Sequence, residues 1–386
     1  MSDFTIRGIS ALLFLVLLVP ASALAVCTAP PAVAPPSGMI NWWPADNNTF
    51  DIIGGNHGTL QNGAGFGDGN VAQAFNFDGV NDYVEVANDP DAAFNFDGSF
   101  TLDAWIRLES TPLPGEFAPI VSKWDDVPEG VDHQRNYFIS ATNNIGGLRL
   151  RCDVSATGTF QAGVNTSRVF SSGIIPLNTW THVACVFNAA TPGITQYING
   201  QPDVPIFSQI SPTVTDPFDN DRPVLIGAGD LGGFHRNFFD GSIDEVELFD
   251  RALTGTEILS IVNANESGKI IPIVIDVKPG NGDEVDPINL KSKGKTPVAV
   301  LSTETFDATT MNIGSIRFAG ASVNVKNNGT FQASFEDVNA DGLLDLVLHF
   351  NTQDLNLTSA STEATLTGTT DNGRCVSATD SIKIVP

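Results

Sequence analysis

The chain has 386 residues, with 44 Asp and Glu against 19 Lys and Arg and a net charge of −25. That length leaves room for two domains with a core in each. The negative balance opposes the counterion release by which basic proteins hold phosphate backbones, so nucleic acid is a poor partner class, and an acidic surface suits solubility and divalent cations instead.

Arg7 precedes an apolar run from Ile9 to Val19, Pro20 breaks it, and Ala23-Leu24-Ala25 supplies the small residues of a cleavage site. This is the pattern of a secretory signal peptide over residues 1–25, too short for a stable membrane anchor. Val26 stands where a lipoprotein signal wants Gly, Ala or Ser, which argues against lipidation of Cys27. No later segment is apolar over the length of a membrane span, so no membrane insertion is expected. The mature protein is expected to be secreted, extracellular or periplasmic. Residues 26–37 are rich in Pro and Ala and read as an extended tether.

Further along, two stretches alternate apolar and polar residues with period two, the signature of strands. In the first, Phe75-Asn-Phe-Asp-Gly-Val-Asn-Asp-Tyr-Val-Glu-Val86, Val84 and Val86 share a face. In the second, Phe100-Thr-Leu-Asp-Ala-Trp-Ile-Arg-Leu108, Leu102, Ala104, Ile106 and Leu108 face one side, while Asp103, Trp105 and Arg107 face the other, expected to be wet. This pair resembles the laminin-G-like, concanavalin A-type jelly roll. Gly38–Asp46, Asp51–Leu60, Ile120–Trp124, Trp180–Ala184, Tyr197–Gly200 and Asp240–Leu253 resemble its other strands in order. The resemblance implies a jelly-roll domain over residues 38–266, and a fold that is first a binding scaffold.

Within such a sandwich Cys152 shares a face with Leu148, Leu150 and Val154, and Cys185 shares one with Val183 and Phe187. Both point coreward from strands expected to be near neighbours, so a disulfide is expected, with two buried thiols as the alternative. The pairing of Cys27 and Cys375 stays open. Thr254-Gly-Thr-Glu257 is a capping box opening a short helix, with Ile258, Leu259, Ile261 and Val262 as its apolar stripe. Residues 265–269 then read as a boundary. A second domain is expected over 270–386, a smaller antiparallel β-sandwich with strands at Ile273–Val277, Thr296–Leu301, Leu343–Phe350, Glu363–Gly368 and Ser381–Val385. Its opening Ile275-Asp-Val-Lys-Pro-Gly280 resembles a module attached to secreted bacterial proteins. The fold class expected is therefore all-β, a concanavalin A-like jelly roll followed by a second sandwich.

The clearest chemical signal is Asp337-Val-Asn-Ala-Asp-Gly-Leu-Leu-Asp345. Oxygen donors from Asp337, Asn339, Asp341, the Leu343 carbonyl and Asp345 would wrap a calcium ion, which takes six to eight oxygens, and Gly342 permits the sharp turn. Leu348 stands where an EF-hand has its bidentate Glu, so Asp345 would have to ligate directly. The jelly-roll resemblance implies a second calcium at Asp51 and Asp244, with turn-capping as the alternative role. Asp244, Glu245 and Glu247 resemble the carboxylate strand of laminarinase-like glycosidases, but the Glu-x-Asp-x-Glu spacing is broken by Ile243. Trp42, Trp43, Trp105 and Trp124, with the loop carrying Phe234, His235 and Arg236, are candidates for stacking on or contacting a sugar. The expectation is a non-catalytic, calcium-stabilised, lectin-like protein whose partner is a glycan or glycoprotein. A structural surface module and a glycosidase or lyase are the rivals.

Overall fold

The computed structural model describes residues 32–88, 94–125, 134–144, 146–231, 234–280 and 285–386. The expected signal peptide and Cys27 lie outside the described residues. Two antiparallel sheets packed face to face form the first half. One runs Gln201–Asp203, Gly193–Ile198, Thr181–Asn188, Phe100–Leu108, Asp240–Phe249, Gln73–Asp78, Gly65–Asp68 across its width, with Met39–Trp43 also paired to Asp240–Phe249. The other runs Phe207–Gln209, Thr166–Phe170, Leu148–Gly158, Gln134–Asn143, Phe117–Asp125, Val224–Ile226, Tyr83–Val86, Gly58–Gln61 and carries the hairpin Gly229–Leu231/Phe234–Arg236 at one side. Consecutive hairpin strands such as Gln134–Asn143 and Leu148–Gly158 sit beside neighbours distant in sequence, such as Asp240–Phe249 between Phe100–Leu108 and Gln73–Asp78, as a jelly roll requires.

The alternation seen in the sequence decides what fills the space between the sheets. Leu102, Ala104, Ile106 and Leu108 meet Tyr137, Ile139, Leu150 and Val154 in one core, and Val84 and Val86 join it. Cys152 and Cys185 are bonded as expected, facing each other across the core from opposite sheets, with Cα atoms 6.3 Å apart. Cys375 is disulfide-bonded as well.

Gly255–Ala264 is the one α-helix among the described residues, opened by the expected capping box: Glu257 N donates to Thr254 Oγ1 at 3.3 Å and Thr254 N to Glu257 Oε2 at 2.8 Å. Ile258 and Ile261 pack on Tyr197, Phe249 and Leu253 at the outer face of the first sheet. No helix among the described residues is long and apolar enough to cross a membrane.

The second half is a smaller pair of sheets. One contains Ile271–Pro272, Cys375–Ile384, Glu363–Thr369, Arg317–Phe318 and Ala321–Ser322, with Asp286–Ile288 paired to Cys375–Ile384; the other contains Val274–Val277, Lys295–Leu301, Asp345–Asn351 and Ala333–Glu336. Two expectations are corrected here. The strand expected at Leu343–Phe350 begins at Asp345, and Leu344 is 54% exposed instead of sharing the core side of Leu346 and Leu348. The final strand is far longer than Ser381–Val385, because small polar residues in Cys375–Ile384 pair fully with Glu363–Thr369.

The tether and boundary also differ from an open linker. Val33 bridges Lys269, with Ile270 N donating to Val33 O at 2.8 Å. Trp42, fully buried, packs into the core of the second half, so the two sandwiches share a dry interface.

The Cys152–Cys185 bond spans 33 residues of sequence, a loop for which the chain-entropy relation assigns about 3–4 kcal/mol. The double variant Cys152→Ala/Cys185→Ala should lose about that much stability in urea unfolding followed by near-ultraviolet circular dichroism. Unchanged stability would show that the bond only decorates an already rigid core.

Candidate functional site

The carboxylate strand is the chemical centre of the molecule, and its geometry comes from a bulge. Along Asp240–Phe249, Ile243, Val246 and Leu248 point into the core. Two residues separate the first pair where one would keep the alternation, and Glu245 takes φ +52°. The register against Phe100–Leu108 slips between Asp244 and Glu247, so the carboxylates leave the inner face at the bulge.

That outer face is dry. Asp103, Asp244, Glu245 and Glu247 are each at most 4% exposed, and Trp105 is 6% exposed. The wet side expected for Asp103 and Trp105 is buried instead: Lys269 and Arg374 reach the carboxylates beside Asp103, and Trp105 packs on His182. Lys269 Nζ donates to Glu245 Oε2 at 2.8 Å and also pairs with Glu247. Arg374 Nη1 donates to Glu245 Oε1 at 2.6 Å and to Asp46 Oδ2 at 2.9 Å. Both cations lie over the Trp42 ring, at 4.9 and 5.6 Å. His182 Nε2 is 3.7 Å from Asp103 Oδ2, with its ring edge-on to Trp105.

Protonation follows from this crowding. Burial would raise Glu245, but Arg374 and Lys269 overcome it and hold the carboxyl below its usual range. Burial raises Glu247 well above the usual range, helped by Asp103, and pushes Asp103 up to about 7. Asp244 is also raised, first by burial and then by Glu245. Burial drives His182 down to about 3, so its imidazole is neutral. A retaining glycosidase needs two carboxyls about 5–5.5 Å apart on either side of a sugar. Here the carboxyls face a protein interface.

The other expected residues fall in separate places. Asp51, fully buried, accepts from the backbone N–H groups of Trp42, Ile53, Gly54 and Asn56 and from the amides of Asn41 and Asn56, the donor set of a carboxylate that holds a turn. Asp244 Oδ2 accepts from Val71 N at 2.8 Å. The two carboxylates thus serve different backbone segments and do not share a donor.

Trp42 and Trp43 are fully buried and Trp124 is 3% exposed, which removes all three as platforms for a sugar ring. Arg135 lies over the Trp124 ring at 5.8 Å. Phe234 is 79% exposed, whereas His235 turns back against the Tyr83 ring at 4.6 Å. Phe234, His235 and Arg236 share one hairpin strand, whose alternation sets His235 on the face opposite Phe234 and Arg236.

In the 337–345 loop, Asp337 accepts from Asp341 N and Gly342 N, Asn339 Oδ1 accepts from Asp341 N, and Asp341 Oδ1 accepts from Leu343 N. Asp337, Asn339 and Asp341 are exposed at the tip. Asp345 is fully buried and accepts from Ser302 N at 2.8 Å and Val338 N at 2.9 Å, which ties the loop base to the neighbouring strand. Among the described residues, Asp276, Asp286 and Asp380 are the three carboxylates whose oxygens gather within 4.8 Å of one another.

Sequence reasoning misses Lys269 and Arg374. The signal that could have found them is an imbalance: three carboxylates within four positions of one strand require cations if that strand is covered.

Residues 78–259 match the family model of the concanavalin A-like lectin/glucanases superfamily, a laminin-G-type domain. No curated protein matches the chain. Among solved structures, the chain is similar to domain 4 of AbnA, an extracellular arabinanase from Geobacillus stearothermophilus, in complex with arabinotriose, at 17% identity over 57% of this chain and 96% of that one, with a TM-score of 0.41. It is also similar to the binding domain of Paraclostridial Mosquitocidal Protein 1, at 14% identity over 87% of this chain and 85% of that one, with a TM-score of 0.45. A third likeness is the CBM40 of the Ruminococcus gnavus IT-sialidase bound to α2,3-sialyllactose, at 15% identity over 43% of this chain and 83% of that one, with a TM-score of 0.33.

Two tests address the interface. Lys269→Met leaves Glu247 without its cation and Glu245 with only Arg374, and should cost about 3–5 kcal/mol in urea unfolding. A loss below about 1 kcal/mol would mean that water reaches these carboxylates. The second concerns pH. Asp46 is pushed from 3.8 up to about 6, because burial outweighs the Arg374 ion pair. Between about 4 and about 6 the folded chain keeps a proton that the unfolded chain has lost, so this group's contribution falls as pH rises through that window and is level above it. The stability difference between wild type and Asp46→Asn should therefore change between pH 4 and 6 and stay constant from about 6.5 to 7.5. A difference that does not vary with pH would contradict the shift.

Proposed function

We propose that the protein is a non-catalytic binding protein of the lectin-like type, secreted, with a carbohydrate or glycoprotein as partner and calcium as a stabilising ion. The observation that carries this is the combination of a concanavalin A-like domain at 78–259 with a carboxylate strand closed off by Lys269 and Arg374. Hydrolysis needs an ionised base or nucleophile and a proton donor that both reach substrate. Asp244, Glu245 and Glu247 are at most 1% exposed, so this set supports structure and leaves binding as the role of the scaffold. The Cys152–Cys185 bond suits an oxidising compartment and so supports export.

For calcium, the exposed oxygens of Asp337, Asn339 and Asp341 at the loop tip, with the Leu343 carbonyl, are the groups a hard cation takes. Asp345, already accepting two backbone N–H groups, would contribute through its remaining lone pairs. Gly342, at φ +90°, supplies the sharp turn that such a loop needs.

A glycan array probed with the full protein, with calcium and with chelator, tests the binding role. Saturable binding to a defined set of glycans is expected, without release of reducing ends. Turnover of a polysaccharide that is lost in Glu245→Gln or Glu247→Gln would overturn the non-catalytic assignment. For the ion, thermal melting should rise with calcium by the equivalent of about 2.7 kcal/mol at 100 times the dissociation constant. Asp341→Ala should abolish most of that rise. Coincident melts with calcium and with chelator would leave the loop as an acidic turn.

A further inference from the structure

Where the two sandwiches meet, a cleft of about 390 Å³ opens, walled by residues 44–52 on one side and by residues 303–310 and 370–374 on the other. Its volume falls in the range of small-molecule pockets, roughly 300–1,000 Å³. Both walls are held in shape. The first is pinned by Asp51 and its six donors. On the second, Asp307 Oδ1 accepts from Thr309 N at 2.8 Å and Thr303 Oγ1 from Phe306 N at 3.1 Å. The cleft is therefore pre-formed, which lowers the entropy lost on binding.

Arg374 lines this cleft and is 2% exposed. Its Nη1 serves Asp46 and Glu245, while its Nε and Nη2 have no partner in the protein. A buried donor without an acceptor is costly, and a ligand oxygen would remove that cost. Phe50 and Phe306, both half-buried, add apolar ring surface to the lining. The exposed mouth carries Glu304, Asp307 and Asp371.

These features select one ligand chemistry. An anion would meet three rim carboxylates before reaching an arginine already neutralised by Asp46 and Glu245. A compact cation would be held at the rim carboxylates and would leave the donors of Arg374 and the two aromatic rings behind them unused. A neutral polyol suits both, since each hydroxyl accepts from Arg374 and donates to a carboxylate, while the C–H face of a sugar ring lies against an aromatic ring. We propose that this interdomain cleft binds a neutral sugar, the size of a mono- or disaccharide end of a glycan. The proposal deepens the carbohydrate-binding role above and rests on it.

The test is isothermal titration of the full protein with neutral cello-, xylo-, malto-, arabino- and galacto-oligosaccharides, and with sialyllactose as a charged probe. Thr310→Trp and Asp371→Trp each fill the mouth from an exposed position, so that one remains informative if the other fails to fold. Phe234→Ala alters the exposed aromatic on the hairpin instead. A neutral probe should bind, each filled variant with wild-type melting should bind it at least about tenfold more weakly, and Phe234→Ala should bind it as wild type does. If both filled variants bind like wild type, or Phe234→Ala abolishes binding, the cleft assignment falls and the carbohydrate role stands. Binding of sialyllactose alone would likewise remove the cleft assignment and leave the carbohydrate role in place. If no probe binds and the glycan array is blank, both fall together.

Discussion

The ion pairs of Glu245 with Lys269 and Arg374 are the interaction on which the rest of the arrangement depends. They close the second sandwich and the linker over the outer face of a sheet that would otherwise be solvated. Taking ions out of water is expensive, and a buried pair offsets that only when geometry and hydrogen bonding are good. Five acids, Asp46, Asp103, Asp244, Glu245 and Glu247, share this region with two cations, so full ionisation would leave an unbalanced negative charge. The protonation pattern resolves this. Glu245, touching both cations, is held ionised, while Asp103, Asp244 and Glu247 are raised, chiefly by burial, and so tend to keep their protons. Lys269 and Arg374 are both raised by the same neighbours and stay charged.

Trp42 gives the interface its apolar part. It comes from the first strand of the first sandwich, buries its ring in the second core, and presents its faces to the two cations that serve the acids. Charge and packing thus act at one point. Removing either cation would leave both a buried acid and an uncovered ring face.

Much of the fold was legible because it depends on local pattern. The period-two runs at 75–86 and 100–108 identified core faces, and the capping box identified the helix start, since both signals lie within a few residues. The facing of Cys152 and Cys185 was legible too, although their placement on opposite sheets needs the topology. What could not be read was the state of the outer face. A strand with Asp103 and Trp105 pointing away from the core has the same alternation whether water or a second domain covers it. Trp42 failed as a candidate for that reason, since it serves the interdomain core, whereas Trp124 lies under Arg135 of the neighbouring strand. At the 337–345 loop, spacing located the oxygens but not the inward turn of Asp345, which depends on Ser302, far away in sequence. Arg374 lies in a plain Asn-Gly-Arg-Cys turn, with no local sign that it reaches Glu245.

One structural decision links stability to function. Covering the carboxylate strand leaves Asp244, Glu245 and Glu247 at most 1% exposed, with Glu245 and Glu247 facing Lys269 and Glu245 also facing Arg374. The cover leaves a gap where the loop held by Asp51 faces the loops at 303–310 and 370–374. Arg374 stands at both places: its Nη1 completes the charge balance of the interface, the residue also lines the gap, and its buried Nε and Nη2 have no partner in the protein. The gap shares Asp46 and Arg374 with the covered cluster and is polar at its base, aromatic at its sides and acidic at its mouth. Its arginine is already paired with Asp46 and Glu245 while its mouth is acidic, so a ligand that both donates and accepts hydrogen bonds suits it better than an anion.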